Sequence, residues 1–404
     1  MTKKIVWICV FANEEVKNIL QSKRDFIAAP WISELIELFR NRKDVDLTII
    51  SPNYFNNEHK EFSLGNIKIY LYQYKPSLLP HRAYNLTLNY NKATSSVVKI
   101  VKNIEPDLIH LHGSENPFYG ASILKLIDKF PTLVSIQGFV SLSGRPKNLI
   151  SRYIRWNRIR FENKINAKAF YFVLSSTNDI ENLNRKDRKT KVYINYYPTI
   201  VPEVSSLEID NKKYDIVYYA RISKNKGIED LIHAMHRIKT NNPSISAIII
   251  GGGSESYINY IKELIASLDL TDNINFAGFQ KTQQDVFKLA VQAKIYVLPT
   301  HFDGVPGSIR ESMYMRIPVV ANAVGGIPSL NDDKECITLV ESRNIPQLVD
   351  KIELVLNDQE RTTRLVQNAY ELIMDKYDTE KIYQNFIDIY KDVLRIEAEK
   401  LNYE

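Results

Sequence analysis

Cysteine is almost missing from this 404-residue chain: Cys9 and Cys336 are the two it has, far apart and without the paired spacing of a metal site. That excludes a disulfide-stapled fold and agrees with a reducing cytoplasm. Long apolar runs are missing too. The run Ile5 to Ala12 behind Lys3 and Lys4 is closed by Asn13, Glu14 and Glu15. It is too short for a membrane span and lacks a convincing cleavage site, so it reads as a first strand with Cys9 in the interior. No GKS or GKT tripeptide occurs, which leaves a P-loop kinase or ATPase without support. IIIGGGSES at 248–256 falls short of a dinucleotide fingerprint, because Ser256 stands where the third glycine belongs and no suitable acid follows at the usual distance. A nucleotide-base or phosphate loop fits it better. Asp44 and Asp46 have the spacing of a metal-binding acid pair, yet they begin a strand and read as a turn. Internal repeats and low-complexity tracts are absent.

What is present describes an ordinary globular protein, 44% hydrophobic and 25% charged. Strand and helix patterns alternate throughout, the mark of open α/β sheets, and the length allows two domains with separate cores. The first is expected over 1–200, ending in YYPTIVPE, where Pro198 and Pro202 mark a linker. The second runs over 201–377, and residues 378–404 form a long amphipathic helix. Charge divides along the same line. Residues 1–200 hold 30 Lys and Arg against 17 Asp and Glu, a net +13; residues 201–404 hold 23 against 30, a net −7. A basic first half suits an anionic partner. The signal peaks in SRYIRWNRIRF at 151–161, where Arg152, Arg155 and Arg158 alternate with Tyr153, Ile154, Trp156, Ile159 and Phe161. On a helix this could lie on an anionic membrane or hold the pyrophosphate of a lipid-linked molecule; the alternative is an aromatic face packed into the domain. Nucleic acid fits poorly, since no binding motif accompanies the charge.

Chemistry concentrates in THFDGVPGSIRESMYMRIP at 300–318. Ile295 to Leu298, with Pro299 behind it, reads as a buried parallel strand, and Ser308 to Met315 as the helix that follows. Gly304 and Gly307 let a ligand approach the backbone, Pro306 suits a helix start, and the amides near Gly307 and Ser308 attract an anion. Asp303 and Glu311 cannot bind phosphate themselves, but they can accept from hydroxyls, which points to a ligand with both phosphate and sugar. A capped helix start with two solvated acids is the plainer alternative. A second segment, YDIVYYA at 214–220, reads as a strand followed by Arg221 and then by Lys226 and Gly227 opening an amphipathic helix. A guanidinium, an ammonium and a helix amino end converging on one place match a diphosphate. In the first half, PDLIHLHG at 106–113 and PTLVSIQG at 131–138 read as buried strands with polar ends at the sheet edge. His110 and His112 are expected on opposite faces, so that at most one lines a cleft, and they make an unconvincing metal pair.

Together these residues resemble the retaining glycosyltransferases of the GT-B fold, glycosyltransferase family 4 or glycosyl transferases group 1. The family shows a strand ending in Gly-Arg, then Lys-Gly at a helix start, and later an acid, seven residues and Glu, followed by Pro-Val and Gly-Gly-x-Pro. Arg221, Lys226 and Gly227, then Asp303 and Glu311, then Pro318 and Val319 with Gly325, Gly326 and Pro328 match it. The likeness is strong over 214–330 and weaker before. It implies two Rossmann-like, doubly wound domains facing a central cleft, with the last helix crossing back to the first domain.

The resemblance also implies roles. Arg221 and Lys226 would bind the diphosphate of a nucleotide-sugar, Glu311 the ribose hydroxyls and Asp303 the donor sugar. Amides around Gly304, Val305, Gly307 and Ser308 would complete the cradle, and Gly252 and Phe279 would lie where the base is met. His112, the outermost, with Gln137 and Gly138, would line the acceptor cleft; Gln137 stands where the family often has His and cannot act as a base. Ala220 for Gly, Asp303 for Glu, Arg316 for Gly and Ser329 for Glu are further departures. The expectation is a metal-independent, cofactor-free retaining transferase in the cytoplasm, with peripheral contact at the inner membrane face. It would move sugar from a nucleotide-sugar to a glycan or lipid-linked acceptor of a bacterial surface polysaccharide such as capsule or O-antigen, without nucleic acid. A nucleotide-sugar epimerase of the same fold and a silent nucleotide-sugar-binding homologue are the alternatives.

Overall fold

Runs rich in Val, Ile, Leu and Tyr form fourteen strands among the described residues, in two separate sheets. The computed structural model describes residues 2–401 apart from 25, 27, 143–145, 147, 177–178, 184–189 and 200–211. Pro202 of the expected linker therefore lies outside the described residues. The chain divides into one unit up to Pro198 joined by the segment from Thr379 onward, and a second unit from Thr199 to Asp378.

The first unit carries β1 (Lys3–Ile8), β2 (Val45–Pro52), β3 (Lys60–Leu64), β4 (Ile67–Tyr72), β5 (Leu108–His112), β6 (Thr132–Ser135), β7 (Tyr171–Leu174) and β8 (Lys191–Ile194), in the order β3-β4-β2-β1-β5-β6-β7-β8. Only β3 runs antiparallel, against β4. Both faces are covered, as parallel sheets require. Trp7, Ile49 and Ile69 face the helix Pro30–Phe39 and the terminal helix Thr379–Leu401. Ile8, Ile109, Leu111 and Phe172 face the helix Asn91–Ile104 and its neighbours.

Tyrosine hydroxyls hold the terminal helix to this unit: Tyr193 donates to Asp392 (2.7 Å), Tyr171 to Glu397 (2.6 Å) and Tyr383 to Asp44. Asp44 thus serves a helix, while its neighbour Asp46 pairs with Lys68 (3.7 Å). Deeper in, Trp7 Nε1 donates to the Tyr390 hydroxyl (2.9 Å), which sits 2.8 Å from His110 Nδ1, and His110 Nε2 lies 2.7 Å from Ser135 Oγ. The Tyr390 hydroxyl accepts from Trp7, and donation of its own proton to His110 Nδ1, with the imidazole proton on Nε2 toward Ser135, would use every group in the chain.

The expectation that His110 and His112 face opposite ways is corrected. Residues two apart on a strand share a face, and the two rings lie 3.8 Å apart, centroid to centroid, both under Trp7. His112 is 1% exposed and neither of its ring nitrogens has a partner. It is a core residue and lines no open surface.

The second unit carries β9 (Tyr214–Tyr219), β10 (Ala247–Ile250), β11 (Ile274–Gly278), β12 (Ala293–Leu298), β13 (Val319–Asn322) and β14 (Thr338–Val340), all parallel, in the order β11-β10-β9-β12-β13-β14. Helices cross between the strands. That from Ile228 to Asn241 buries Leu231, Ile232, Met235 and Ile238, the three-and-four spacing of one apolar stripe.

Two expectations follow for the first unit. Tyr390→Phe leaves Trp7 Nε1 and His110 Nδ1 buried without partners, and should cost about 1–3 kcal/mol in urea unfolding. Burial holds His110 well below its ordinary pKa, with the His112 charge adding to this, and burial alone takes His112 down to about 3. Both stay neutral when folded while the unfolded imidazoles charge below about 6.5. Stability should therefore fall as pH drops from about 6.5 toward 3, by roughly 1 kcal/mol per pH unit for each group. His112→Leu should flatten that slope in urea titrations from neutral pH to pH 4.

Candidate active site

In the second sheet the strand order reverses between β9 and β12: β10 and β11 wind to one side, β13 and β14 to the other. Ligands of open parallel sheets bind outside the carboxyl ends at such a point. Both sequence motifs emerge there. From β9 the chain runs through exposed Arg221, a single 3-10 turn Lys224–Lys226 and Gly227 into the helix Ile228–Asn241. From β12 it runs through Asp303 and Gly304 to Pro306, which caps the helix Gly307–Tyr314.

The two loops are locked to each other. Gly227 has φ +70°, and a Cβ there would stand 1.8 Å from the Pro299 carbonyl oxygen. Backbone N–H of His301 donates to the Asn225 carbonyl (2.8 Å), which also accepts from the Thr300 hydroxyl (3.0 Å). His301 Nε2 meets Asp230 Oδ2 at 2.8 Å. The buried Tyr218 hydroxyl points between the carbonyls of Arg221 (3.5 Å) and Lys226 (3.4 Å). Tyr219 donates to the Ser308 carbonyl (2.7 Å) and Tyr296 to Ser308 Oγ (2.8 Å). Burial pushes all three phenols up, so they remain donors.

At the centre Lys226 Nζ forms an ion pair with Asp303 Oδ2, and the two side chains are 25% and 20% exposed. Thr300 Oγ1 lies 3.3 Å from the same carboxylate oxygen. A lysine expected to meet phosphate and an acid expected to meet sugar thus neutralise one another. Glu311, four residues into its helix and half-buried, accepts from Gln283 Nε2 (3.1 Å). No side-chain hydrogen bond caps the helix at Pro306, which leaves its first amides, at Gly307 and Ser308, able to attract an anion. Val305 is half-buried behind Gly304, and its methyl would meet a Cβ on Gly326 at 3.0 Å.

On the other side of β9, Gly252 follows β10 and Phe279 follows β11. The Phe279 ring lies over Gly252, where a Cβ would be 3.2 Å from it, and is 73% exposed. A flat, open aromatic face at the sheet edge can stack on a planar ring. The structure therefore brings Arg221, Lys226, Asp303, Gly304, Val305, Gly307, Ser308, Glu311, Gly252 and Phe279 to one edge of one sheet. Gln137 and Gly138, half-buried, follow β6 in the first unit, and His112 ends β5 within its core.

The pairing of Lys226 with Asp303, the Asp230–His301 contact and the tyrosine braces were not foreseen. Tyr218, Tyr219 and Tyr296 lie in strands that read simply as core, and which carbonyl a buried hydroxyl finds depends on the neighbouring strand. Asp230 and His301 lie far apart in sequence and meet only because β9 and β12 are adjacent.

Comparison with known proteins agrees with this geometry. The family model for glycosyl transferases group 1 matches residues 202–372. The chain is 26% identical over 178 residues to an alpha-D-kanosaminyltransferase of Streptomyces kanamyceticus, a match covering 44% of this chain and 45% of that enzyme. It is 23% identical over 382 residues to the N,N'-diacetylbacillosaminyl-diphospho-undecaprenol alpha-1,3-N-acetylgalactosaminyltransferase of Campylobacter jejuni, covering 89% and 94%. Among solved structures it resembles sucrose-phosphate synthase of Thermosynechococcus elongatus, with TM-score 0.74, 18% identity and 98% and 100% of the two chains covered. It also resembles Anabaena HepE in complex with UDP-glucose, with TM-score 0.69, 17% identity and 96% and 100% covered. The fold is that of the GT-B enzymes.

The ion pair makes the site's charge adjustable. Asp303→Asn frees the ammonium and should tighten inorganic pyrophosphate binding roughly five- to tenfold, on the scale of about 1 kcal/mol for a partly exposed pair. Lys226→Ala should weaken it. Calorimetric titration checks both, and equal affinities in the three proteins would show that pyrophosphate does not meet this pair.

Proposed function

The second unit is a glycosyl transferases group 1 domain, and on that premise we propose that the protein is a retaining, metal-independent glycosyltransferase. It moves a sugar from a nucleotide-sugar to a glycan or lipid-linked acceptor in the assembly of a bacterial surface polysaccharide such as capsule or O-antigen. The observation that carries the reading is the convergence of Arg221, Lys226 and the uncapped helix start at Gly307 with two carboxylates, Asp303 and Glu311, at the switch point of one sheet. Cations and amides suit a diphosphate, carboxylates suit hydroxyls, and a nucleotide-sugar has both.

In this reading Phe279 stacks on the base over Gly252, Glu311 accepts from the ribose, and the diphosphate lies between Arg221 and the amides of Gly307 and Ser308. Lys226 turns from Asp303 to the diphosphate as it binds, which releases the Asp303 carboxylate for the donor sugar. The bond between the anomeric carbon and the diphosphate oxygen breaks, and the acceptor oxygen bonds to the same carbon on the same face. The acceptor's proton passes to the departing diphosphate. Charge develops on that leaving group, where Arg221, Lys226 and the helix start stabilise it. Gln137 and Gly138 belong to the acceptor side, Gln137 as a hydrogen-bond partner for a hydroxyl.

Two relatives lend support for the substrates. The Campylobacter enzyme is named for a diphospho-undecaprenol-linked sugar, and HepE holds UDP-glucose. UDP is thus the first nucleotide to try, with GDP and ADP and their sugar conjugates beside it. A nucleotide that binds only the folded protein at about 100 times its Kd should stabilise it by about 2.7 kcal/mol and raise its Tm. One nucleotide should shift Tm selectively, the shift should vanish in Lys226→Ala, and Arg221→Ala should lower transfer about 10²- to 10³-fold. Donor consumption without acceptor would identify an epimerase or hydrolase instead, and binding without turnover a silent homologue.

A further inference from the structure

Thirteen large apolar side chains are exposed among the described residues, and seven of them fall in two short segments of the first unit. Leu78, Leu86 and Leu88 come from the stretch around the small helix His81–Tyr84, with Leu78 99% exposed. Leu142, Leu149, Ile150 and Trp156 come from the approach to the helix Leu149–Lys168 and its first two turns. Three hydrogen bonds join residues 86–88 to that helix. Tyr153 Oη donates to the Leu86 carbonyl (3.1 Å), Asn157 Nδ2 to that of Thr87 (3.0 Å) and Arg160 Nη1 to that of Leu88 (3.1 Å).

That helix is half-seated. Asn157, Phe161, Glu162, Ile165 and Asn166 are its buried residues, whereas Leu149, Ile150, Arg152 and Trp156 are exposed. Of the sequence-based alternatives for 151–161, inward packing holds at Phe161, 5% exposed, and not at Trp156, 52% exposed.

The charge along these two segments is one-sided. No Asp or Glu occurs between Glu61 and Glu105, or between Asp128 and Glu162, and these two stretches hold six and seven Lys and Arg. Arg82 and Arg152 are exposed beside the leucines. Arg152 and Arg160 each give an N–H to a backbone carbonyl, and no ion pair among the described residues involves either.

We propose that this face docks the protein on an anionic lipid bilayer, with Leu78, Leu149, Ile150 and Trp156 entering the interface and the arginines meeting headgroup phosphates. Projecting leucines and a tryptophan at loop tips and at a helix end, interleaved with exposed Arg152, match an interfacial anchor. Attraction to anionic lipid adds to the insertion of the apolar tips. The inference stands on the first unit alone and does not depend on the donor site. If both hold, a lipid-linked acceptor is met at the surface that carries it.

The test uses the full chain and vesicles of phosphatidylcholine with and without phosphatidylglycerol. The protein should float with the anionic vesicles, much less with the neutral ones, and less as salt is raised. The triple variant Leu78→Ser, Leu149→Ser, Ile150→Ser should lose roughly tenfold or more in partitioning while keeping the nucleotide-induced Tm shift of the parent. Trp7 is buried and Trp31 half-buried, so a blue shift of tryptophan emission on vesicles that disappears in Trp156→Phe would place that ring in the interface. Absence of anionic-vesicle binding, unchanged partitioning of the triple variant, or an unmoved Trp156 emission would each overturn the proposal. So would a concentration-dependent dimer in light scattering that the triple variant abolishes without any vesicle binding, which would make the face an interface between copies.

Discussion

Everything at the proposed donor site depends on how closely the loops leaving β12 can approach their neighbours. On one side the loop after β9 presses Gly227 against the Pro299 carbonyl; on the other, Gly325 after β13 presses against that of Asp303, where a Cβ would stand 1.7 Å from the oxygen. Both glycines are left-handed, at φ +70° and +55°, so they supply the turn as well as the space. With a side chain at either glycine the loop bearing Asp303 would have to shift, and the Lys226–Asp303 contact with it. The glycines of the sequence motifs therefore shape the site through contacts between backbones, before any ligand is considered.

Given that frame, electrostatics decides the resting state. A cation poised for phosphate beside a carboxylate poised for a hydroxyl will pair when neither ligand is there, since half-buried charges gain more from each other than from restricted water. Only Lys226 is tied up in this way; Arg221 stays exposed at the strand end. A diphosphate can thus be met first by Arg221 and the helix start and then draw Lys226 over, and the carboxylate freed in that exchange is the one placed for the sugar. One methylene fewer in Asp303 than in the glutamate of the related pattern suits a short, direct contact with Lys226.

Much of this was legible from residue order. Parallel strands ending in Arg221 and Pro299, helices opening at Gly227 and Gly307, and the convergence of two motifs all followed from apolar periodicity and turn chemistry, which are local. Arg316, which departs from a common glycine, is at φ +57° with its guanidinium 3.8 Å from the Tyr370 ring centre; the pattern's preference for glycine has a backbone cause, and a stacking contact offsets it here. Ser329, in place of a glutamate, donates to the Gly326 carbonyl within its own turn (2.7 Å). The histidines show where local reasoning failed. Residues 110 and 112 were assigned opposite faces although a strand repeats every two residues, and their environment, a Trp7–Tyr390–His110–Ser135 chain, draws on four distant parts of the sequence.

The sequence by itself determined the element types, the two-sheet α/β class, the carriers of the diphosphate-matching charge and the one-signed character of the first half, because propensity, periodicity and composition are written residue by residue. Only the tertiary structure decided that Lys226 rests on Asp303, that Tyr218, Tyr219 and Tyr296 brace the loops, that His112 is core, and that two segments carrying seven exposed apolar side chains are joined by hydrogen bonds. Each of those depends on which strands lie side by side and how deeply a helix is seated, and no short stretch of residues encodes that.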